Sequence, residues 1–301
     1  MQTSSANSAS GVPLLSGLSA IASSYDVVLS DIWGVVHNGR EHFPRACDAL
    51  RRFRAQGGVV VLVTNAPRPF PPILKQLDHL GAPRDAFDEI VTSGDVTLNY
   101  IAARGRAPLH HIGPERDLTF FDILEEQTGV RPPLVALEEA DYVVCTGLFD
   151  DAHTPADYAR ALDVMHARRL DMICANPDLV VHVGDEMLYC AGAIAQAYED
   201  AGGRVLQAGK PFAPIYDRAL ELAARRRGAP VDPARALAIG DALRTDVRGA
   251  CDRGLDAVFV TSGIHRDELH PGDGPLDVAA MNALVAQAGV RPVGAIPALV
   301  W

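Results

Sequence analysis

Short apolar segments alternate with amphipathic segments over the first ninety residues. Segments 27–30, 59–63 and 89–92 are short and apolar, and segments 44–56 and 72–80 between them carry apolar residues at helical spacing. Segment 59–63 contains no polar position, which is typical of a strand covered on both faces of a parallel sheet. The pattern predicts three parallel strands joined by two crossover helices.

The same alternation returns near the end of the chain. Helices are predicted at 214–227 and 245–253, and strands at 236–239 and 257–260. Together, the two ends of the chain predict an α/β fold with a doubly wound, Rossmann-like parallel sheet as its core.

The middle of the chain starts a new alternation. Its predicted strands and helices are 141–146, 171–175, 156–169 and 191–201. Because this stretch lies between two parts of one sheet, we predict a core domain formed by 1–92 and 208–301. Residues 93–207 are then an inserted α/β cap domain.

Composition narrows the class of protein and its compartment. The 27 Lys and Arg against 38 Asp and Glu give a formal net charge of −11, which argues against nucleic acid or an anionic membrane as the main partner. The 5 cysteines are odd in number and form no Cys-x-x-Cys pair, so free thiols in a reducing compartment are expected. No apolar run reaches the roughly 18 residues of a membrane span, and segment 1–11 does not resemble a signal peptide. We expect a cytoplasmic protein, and the sequence leaves open whether it is a homo-oligomer.

Polar residues follow four predicted strands at the point where each strand ends. Asp31 and Thr64 follow the first two strands, and Lys210 and Asp241 follow two later ones. Because the carboxyl ends of neighbouring parallel strands meet in one crevice, these side chains are expected to lie together. Two carboxylates, a hydroxyl and an ammonium suit attack on a phosphoryl group with Mg²⁺ held by the aspartates.

Four motifs resemble those of a known family. They are Asp31-Ile32-Trp33-Gly34-Val35, Val63-Thr64-Asn65, Gly209-Lys210-Pro211 and Gly240-Asp241-Ala242-Leu243-Arg244-Thr245-Asp246. In this order, with an α/β segment between the second and the third, they resemble the haloacid dehalogenase superfamily. The branch resembled is the NagD-like (class IIA) sugar and nucleotide phosphatases, and the resemblance covers nearly the whole chain.

The resemblance implies a role for each matching residue. Asp31 is the catalytic nucleophile, which forms an aspartyl-phosphate, and it is also a metal ligand. Thr64 and Lys210 are catalytic residues that contact the phosphate. Asp241 and Asp246 belong to the Mg²⁺ site.

Trp33 departs from the pattern of the phosphatases in this family. They carry a second aspartate two residues after the nucleophile, as general acid and base, and Trp33 occupies that position here. An indole N–H only donates, so roughly 10²–10⁴-fold of acid–base help is expected to be lost. The main-chain carbonyl of Trp33 is still expected to bind the metal. We therefore expect slow hydrolysis of simple sugar phosphates and better rates on activated phosphates.

Other polar residues are candidates for the active site, although each also has a purely structural explanation. His37, in the loop after the first motif, is a candidate replacement for the missing acid, although such a histidine is more often solvated. Asn65 is a candidate for substrate binding. In the cap, so are Asn176, Asp178 and Tyr189, although Asn-Pro-Asp is first of all a turn signal, and other polar groups lie between His182 and Tyr189.

Each residue of the four motifs is also compatible with a purely structural role. Asp31 and Asp241 are also compatible with turn caps, and Asp246 with a carboxylate at a helix start. Thr64 is also a strand former, and Lys210 is also compatible with a solvated surface lysine.

Three kinds of function fit these motifs. The first is a Mg²⁺-dependent phosphohydrolase acting on a small phosphorylated metabolite. The second is a metal-independent haloacid-type hydrolase, because dehalogenases also place an aromatic residue two after the nucleophile; the Asp241 and Asp246 carboxylates argue against it. The third is a non-catalytic protein that binds a phosphorylated ligand, which Trp33 keeps open.

Overall fold

The computed structural model describes residues 11–183 and 186–301. The strands in this part of the chain are β1 (Val27–Ser30), β2 (Val59–Thr64), β3 (Glu89–Thr92), β4 (Leu109–Ile112), β5 (Tyr142–Cys145), β6 (Asp171–Cys174), β7 (Val180–Val183), β8 (Glu186–Tyr189), β9 (Arg204–Gln207), β10 (Ala236–Gly240), β11 (Asp256–Val260) and β12 (Gly294–Ile296). The α-helices are α1 (Pro44–Ala55), α2 (Phe70–His79), α3 (Ser93–Ala102), α4 (Thr119–Thr128), α5 (Ala159–Arg168), α6 (Ala191–Asp200), α7 (Ala213–Arg227), α8 (Arg248–Asp252), α9 (Arg266–Leu269) and α10 (Val278–Ala288).

Both ends of the chain build one parallel sheet, the core sheet, with the strand order β12-β11-β10-β1-β2-β3. Alternate residues of its strands point to opposite faces, so Val28 and Val60 pack with α1 and α2. Val27 and Val61 pack with α7, α8 and α10 on the other face. The strands are covered on both faces, as the apolar run 59–63 predicts. The doubly wound parallel fold is confirmed.

The middle of the chain builds a second parallel sheet, the cap sheet, in the order β4-β5-β6-β9. Helices α3 and α4 cover one face of it, and α5 and α6 cover the other. Strands β7 and β8 form a separate antiparallel hairpin. Among the described residues, no strand of the cap sheet pairs with the core sheet. The domain boundaries themselves, at 92/93 and 207/208, stay a prediction.

The chain passes from the core sheet into the cap without a loop. Strand β3 ends at Thr92 and α3 begins at Ser93, with Thr92 and Asp95 forming a capping box. The Thr92 hydroxyl accepts from the Asp95 N–H at 2.9 Å, and the Asp95 carboxylate accepts from the Thr92 N–H at 3.0 Å. This junction fixes α3, which packs on the cap sheet, relative to the edge of the core sheet.

One predicted helix, at 245–253, differs from the structure. Leu243–Val247 is a π-helical segment, and α8 follows it. The N–H groups of Asp246 and Val247 both donate to the Ala242 carbonyl. The second of these bonds spans five residues, a register that apolar periodicity cannot show because it arises from hydrogen bonding at the end of β10.

The cysteines are free thiols, four of them buried. This agrees with the expectation from their number and spacing. Within the described residues, no helix has both the length and the apolar character needed to cross a membrane.

Candidate active site

Three buried aspartates lie together at the carboxyl edge of the core sheet. Asp31 follows β1, Asp241 follows β10 and Asp246 lies in the π-helical segment, each no more than 8% exposed. One carboxylate oxygen from each lies within 4.8 Å of the others. Strands β1 and β10 are neighbours with Ser30 opposite Ile239, so their next residues emerge side by side. The parallel-sheet rule therefore places Asp31 and Asp241 as the sequence predicted. Asp246, which only the family resemblance indicated, reaches them from the segment after β10.

Lys210 is the ammonium of this cluster. Its Nζ donates to Asp31 Oδ1 at 2.7 Å and to Asp246 Oδ1 at 2.6 Å, and the residue is 4% exposed. It comes three residues after the end of β9, the last strand of the cap sheet. The interpretation of Lys210 as a solvated surface lysine is wrong, because the side chain is buried between two carboxylates.

The cluster carries more negative charge than Lys210 can balance. Burial, then repulsion from Asp246, raises the pKa of Asp31 well above its usual range. The same two causes raise the pKa of Asp241 to about 7. Burial by itself would lower the pKa of Lys210, but the carboxylates of Asp246 and Asp31 more than offset it and raise this pKa. The ammonium stays charged, while the site favours a further positive charge.

A divalent cation fits this donor set. Carboxylate oxygens are the ligands that hard cations prefer, and three of them converge here. Within the described residues, Lys210 is the one buried ammonium paired with them. Net negative charge in a buried site is costly unless a cation compensates for it. The chemistry of the site therefore agrees with a metal centre formed by Asp31, Asp241 and Asp246.

Main-chain groups surround Asp241, and the sequence motifs did not indicate most of these contacts. The Ile264 N–H donates to Asp241 Oδ2 at 2.8 Å. A Cβ on Gly34 or on Gly263 would overlap this carboxylate, and Gly34 also has a φ of +79°. The turn Thr261-Ser262-Gly263 follows β11, so the strand-end argument applied to one more strand would have found it. The close approach of Gly34 also keeps the peptide that joins it to Trp33 beside the aspartates.

Trp33 is half-buried and packs on its own loop. Its ring makes an edge contact with the His37 imidazole, with centroids 5.2 Å apart, and its six-membered ring lies against Gly39. The indole is thus held by loop packing, and it brings no carboxylate to the place where the resembled phosphatases have one.

His37 is poorly suited to replace that carboxylate. It is 2% exposed rather than solvated, and burial lowers its pKa to about 4. Its Nδ1 accepts from the Gly39 N–H at 3.0 Å, so the neutral ring carries its proton on Nε2. At neutral pH His37 is therefore an uncharged loop residue that supports Trp33.

Of the remaining predicted residues, Thr64 and Asn65 lie at the end of β2, and Asn176, Asp178 and Tyr189 belong to the middle of the chain. Thr64 is buried at the end of β2, where its hydroxyl accepts from the Ala66 N–H at 3.2 Å. The Asn65 side chain contacts Asp178 and Lys210, which brings the cap loop 176–178 to the cluster. Asn176 accepts from the Asp178 N–H at 3.1 Å, the turn that its sequence signals.

Tyr189 lies on β8, is 40% exposed, and forms no hydrogen bond with the cluster among the described residues. The side chain of His182 and residues 184–185 are outside the described part of the chain.

Two residues that sequence reasoning did not single out support the cluster. The Tyr216 hydroxyl, on α7, donates to the Asp246 carbonyl at 3.1 Å, and the Ala242 N–H donates to Asp246 Oδ2 at 3.2 Å. Tyr216 is 1% exposed. A buried tyrosine on an amphipathic helix carries no sequence signal that separates it from an ordinary core residue.

Known proteins are similar to this chain in both sequence and fold. Residues 28–125 match a family model described as haloacid dehalogenase-like hydrolase, and residues 207–281 match a second HAD-hydrolase-like model. The chain is 44% identical to a haloacid dehalogenase-like hydrolase from Brucella suis 1330, over 95% of this chain and 100% of that one, with a TM-score of 0.83.

Two further relatives have named activities. The chain is 24% identical to the 5'-nucleotidase YutF of Bacillus subtilis over 271 residues, which are 86% of this chain and 96% of that one. It is 25% identical to the glycerol phosphate phosphatase Rv1692 of Mycobacterium tuberculosis, whose structure is in complex with calcium. That match covers 87% of this chain and 76% of the other, with a TM-score of 0.62.

Proposed function

Since the chain belongs to the haloacid dehalogenase-like hydrolases, we propose that it is a Mg²⁺-dependent phosphohydrolase of a small phosphorylated metabolite, in the NagD-like branch. The observation that carries this proposal is the position of Lys210 Nζ, 2.7 Å from Asp31 and 2.6 Å from Asp246, inside a buried cluster of three carboxylates. This arrangement supports the proposed roles of Asp31 as nucleophile, of Lys210 as the cation for phosphate oxygens, and of the three carboxylates as the metal site.

Asp31, Asp241 and Asp246, with the main-chain carbonyl of Trp33, would hold the metal. When bound, Mg²⁺ would neutralise the carboxylates and the phosphoryl oxygens, so that a carboxylate can approach an anionic phosphorus centre. Three buried carboxylates with oxygens within 4.8 Å of one another, paired with one ammonium, support the need for such compensation.

Asp31 would act as the nucleophile. Both hydrogen bonds to its carboxylate, from Lys210 Nζ and from the Ile32 N–H at 2.7 Å, reach Oδ1. A carboxylate oxygen of Asp31 would form a bond to phosphorus while the bond from phosphorus to the leaving oxygen breaks, giving an aspartyl-phosphate. Thr64 and Lys210 would bind the non-bridging oxygens. Water would then attack phosphorus and release phosphate and Asp31.

Trp33 would limit both steps. An alkoxide leaving group needs a proton that an indole cannot supply, and water attack needs a base. Leaving groups of low pKa need less help, so acyl phosphates and anhydrides would react faster than sugar phosphates. The related 5'-nucleotidase and glycerol phosphate phosphatase support a small phosphorylated metabolite as substrate. The free cysteines support a cytoplasmic setting.

The test is an assay of the purified protein with and without Mg²⁺. One panel contains sugar phosphates, nucleotides and acyl phosphates, and a second contains halo-acids. Mg²⁺-dependent phosphate release is the expected result. Halide release without metal would favour the haloacid-type hydrolase, and phosphate binding without turnover of either panel would favour the non-catalytic binder.

A further inference from the structure

The Asn65 side chain lies between the catalytic lysine and the cap. Its Oδ1 accepts from the Lys210 N–H at 2.6 Å, and its Nδ2 donates to the Lys210 carbonyl at 3.0 Å. The same Nδ2 donates to Asp178 Oδ1 at 2.9 Å. Both amide hydrogens are therefore used within the protein, in a side chain whose residue is 4% exposed.

This pattern restrains the backbone of Lys210 rather than its ammonium. One amide group binds both the N–H and the carbonyl of the same residue, which limits rotation about that residue's φ and ψ. The lysine side chain has four rotatable bonds and loses precision unless its origin is fixed. Fixing the backbone thus helps to place Nζ between Asp31 and Asp246.

The third bond of the amide reaches the cap. Asp178 belongs to the loop after β6, and its N–H donates to Asn176 Oδ1 at 3.1 Å, so the loop is itself ordered. The contact is tight, since a Cβ on Gly209 would overlap Asn65 Oδ1 and approach Pro177 Cδ to 2.7 Å. A chain of direct contacts therefore runs from the cap loop through Asn65 to Lys210.

We infer that Asn65 is a positioning residue, which links the cap loop at Asp178 to the placement of Lys210. The inference rests on the proposed phosphohydrolase reaction and deepens it. A displacement of loop 176–178 would remove one of the two donor bonds that orient the amide. The lysine would then be well placed only when the cap loop is seated, and catalysis would depend on cap position without any cap residue touching the reacting atoms.

The test is a double-mutant cycle between Asn65→Ala and Lys210→Met, with p-nitrophenyl phosphate and saturating Mg²⁺. Contacting residues in one network couple strongly, so Asn65→Ala is expected to lower kcat about tenfold in the native background and less than about twofold in the Lys210→Met background. KM should change less than kcat. Equal losses in both backgrounds would overturn the inference, because Asn65 would then act independently of the lysine.

A second pair of variants tests the cap side. Asp178→Asn keeps an acceptor oxygen for Asn65 Nδ2, and Asp178→Ala does not. Most of the native kcat is expected in the first variant and a fall of several-fold in the second. Thermal unfolding of each variant separates this effect from loss of the fold. Equal kcat values for the two variants would contradict the role of the Asp178–Asn65 bond.

The wild-type assay separates this inference from the proposed function. If the wild type does not release phosphate, the proposed function fails, and the cycle is measured instead on the affinity for inorganic phosphate with Mg²⁺, by calorimetry. The same pattern is expected there: Asn65→Ala weakens phosphate binding only when Lys210 is present. Additive effects, or no phosphate binding by the wild type, would overturn the positioning role.

Discussion

The core sheet and the cap sheet both gather polar side chains at their carboxyl edges, but the two groups differ in charge. At the core edge, three aspartates share one lysine. At the cap edge, His111 and Thr146 are 2.9 Å apart, from Nε2 to Oγ1, and the Thr146 hydroxyl acts to lower the pKa of the buried Asp117. This cluster of His111, Asp117 and Thr146, at the ends of β4 and β5, contains one carboxylate and one internal hydrogen bond among the described residues.

This difference in charge separates a reactive site from a structural one. The geometry of a parallel sheet brings polar groups together at both edges. Burial raises the pKa of Asp117 as it raises those of Asp31 and Asp241, and nearby positive charges lower all three. Repulsion from Asp246 raises the pKa further only for the two core aspartates. The three core carboxylates outnumber the one ammonium, so the core cluster has to take up protons or a further cation to balance its charge.

The largest expected effect comes from Asp31→Asn. An amide is not a nucleophile, so turnover of any phosphorylated substrate should fall by at least about 10³-fold, while the fold is retained. The matched change at the cap edge, Asp117→Asn, should leave kcat/KM within a few-fold. Steady-state assays and circular dichroism of both variants test this. Activity of Asp31→Asn near the wild-type value would contradict the proposed mechanism.

A second prediction concerns Trp33. Trp33→Asp should raise the hydrolysis of alkyl phosphates by up to about 10²-fold, because it restores an acid and base, whereas Trp33→Phe should not. In the wild type, rapid-quench labelling with an acyl phosphate should trap Asp31-phosphate. Ordinary phosphatase rates on alkyl phosphates, with no accumulated phosphoenzyme, would mean that another group supplies the proton.

A third prediction concerns the metal. Asp241→Asn should weaken Mg²⁺ binding by at least about tenfold, because one of the three carboxylates is lost. Asp178→Asn, a carboxylate of the cap loop, should leave the affinity unchanged. Calorimetric titration measures both, and equal affinities in the two variants would remove Asp241 from the metal site.

The smallest effect is expected at the cap edge and depends on pH. Burial lowers the pKa of His111 to about 4. In the unfolded chain this histidine takes up a proton below a pH of about 6.5, whereas in the folded protein it stays neutral. The free energy of unfolding therefore decreases as pH falls below that value. His111→Gln keeps a donor for Thr146 and cannot titrate. The decrease in its free energy of unfolding between pH 8 and 5.5 should therefore be smaller than that of the wild type by about 1 kcal/mol. Urea unfolding of both proteins at the two pH values tests it, and parallel losses would contradict it.

The sequence was most informative where one rule links it to space. Apolar strands followed by Asp31, Thr64 and Asp241 predict a shared edge, and the structure has it. The same rule indicates the turn after β11 but not the hydrogen bond from the Ile264 N–H to Asp241, and it indicates none of the three bonds of Asn65. They join residues far apart in the chain through loops, whose paths depend on packing rather than on a repeating pattern.

Lys210 lies only three residues beyond Gln207, the end of β9, so the last strand of the cap sheet is also the lead-in to a core-site residue. Modular exchange of the cap is constrained by this arrangement. A donor cap grafted from another protein would need its final strand to arrive in the same register, and its loop after the third strand to offer an acceptor to Asn65. Recombination at the proposed boundary 207/208 alone would separate Lys210 from its own lead-in strand β9. A functional chimera would therefore have to carry the segment from β9 to Pro211 together with its own asparagine partner.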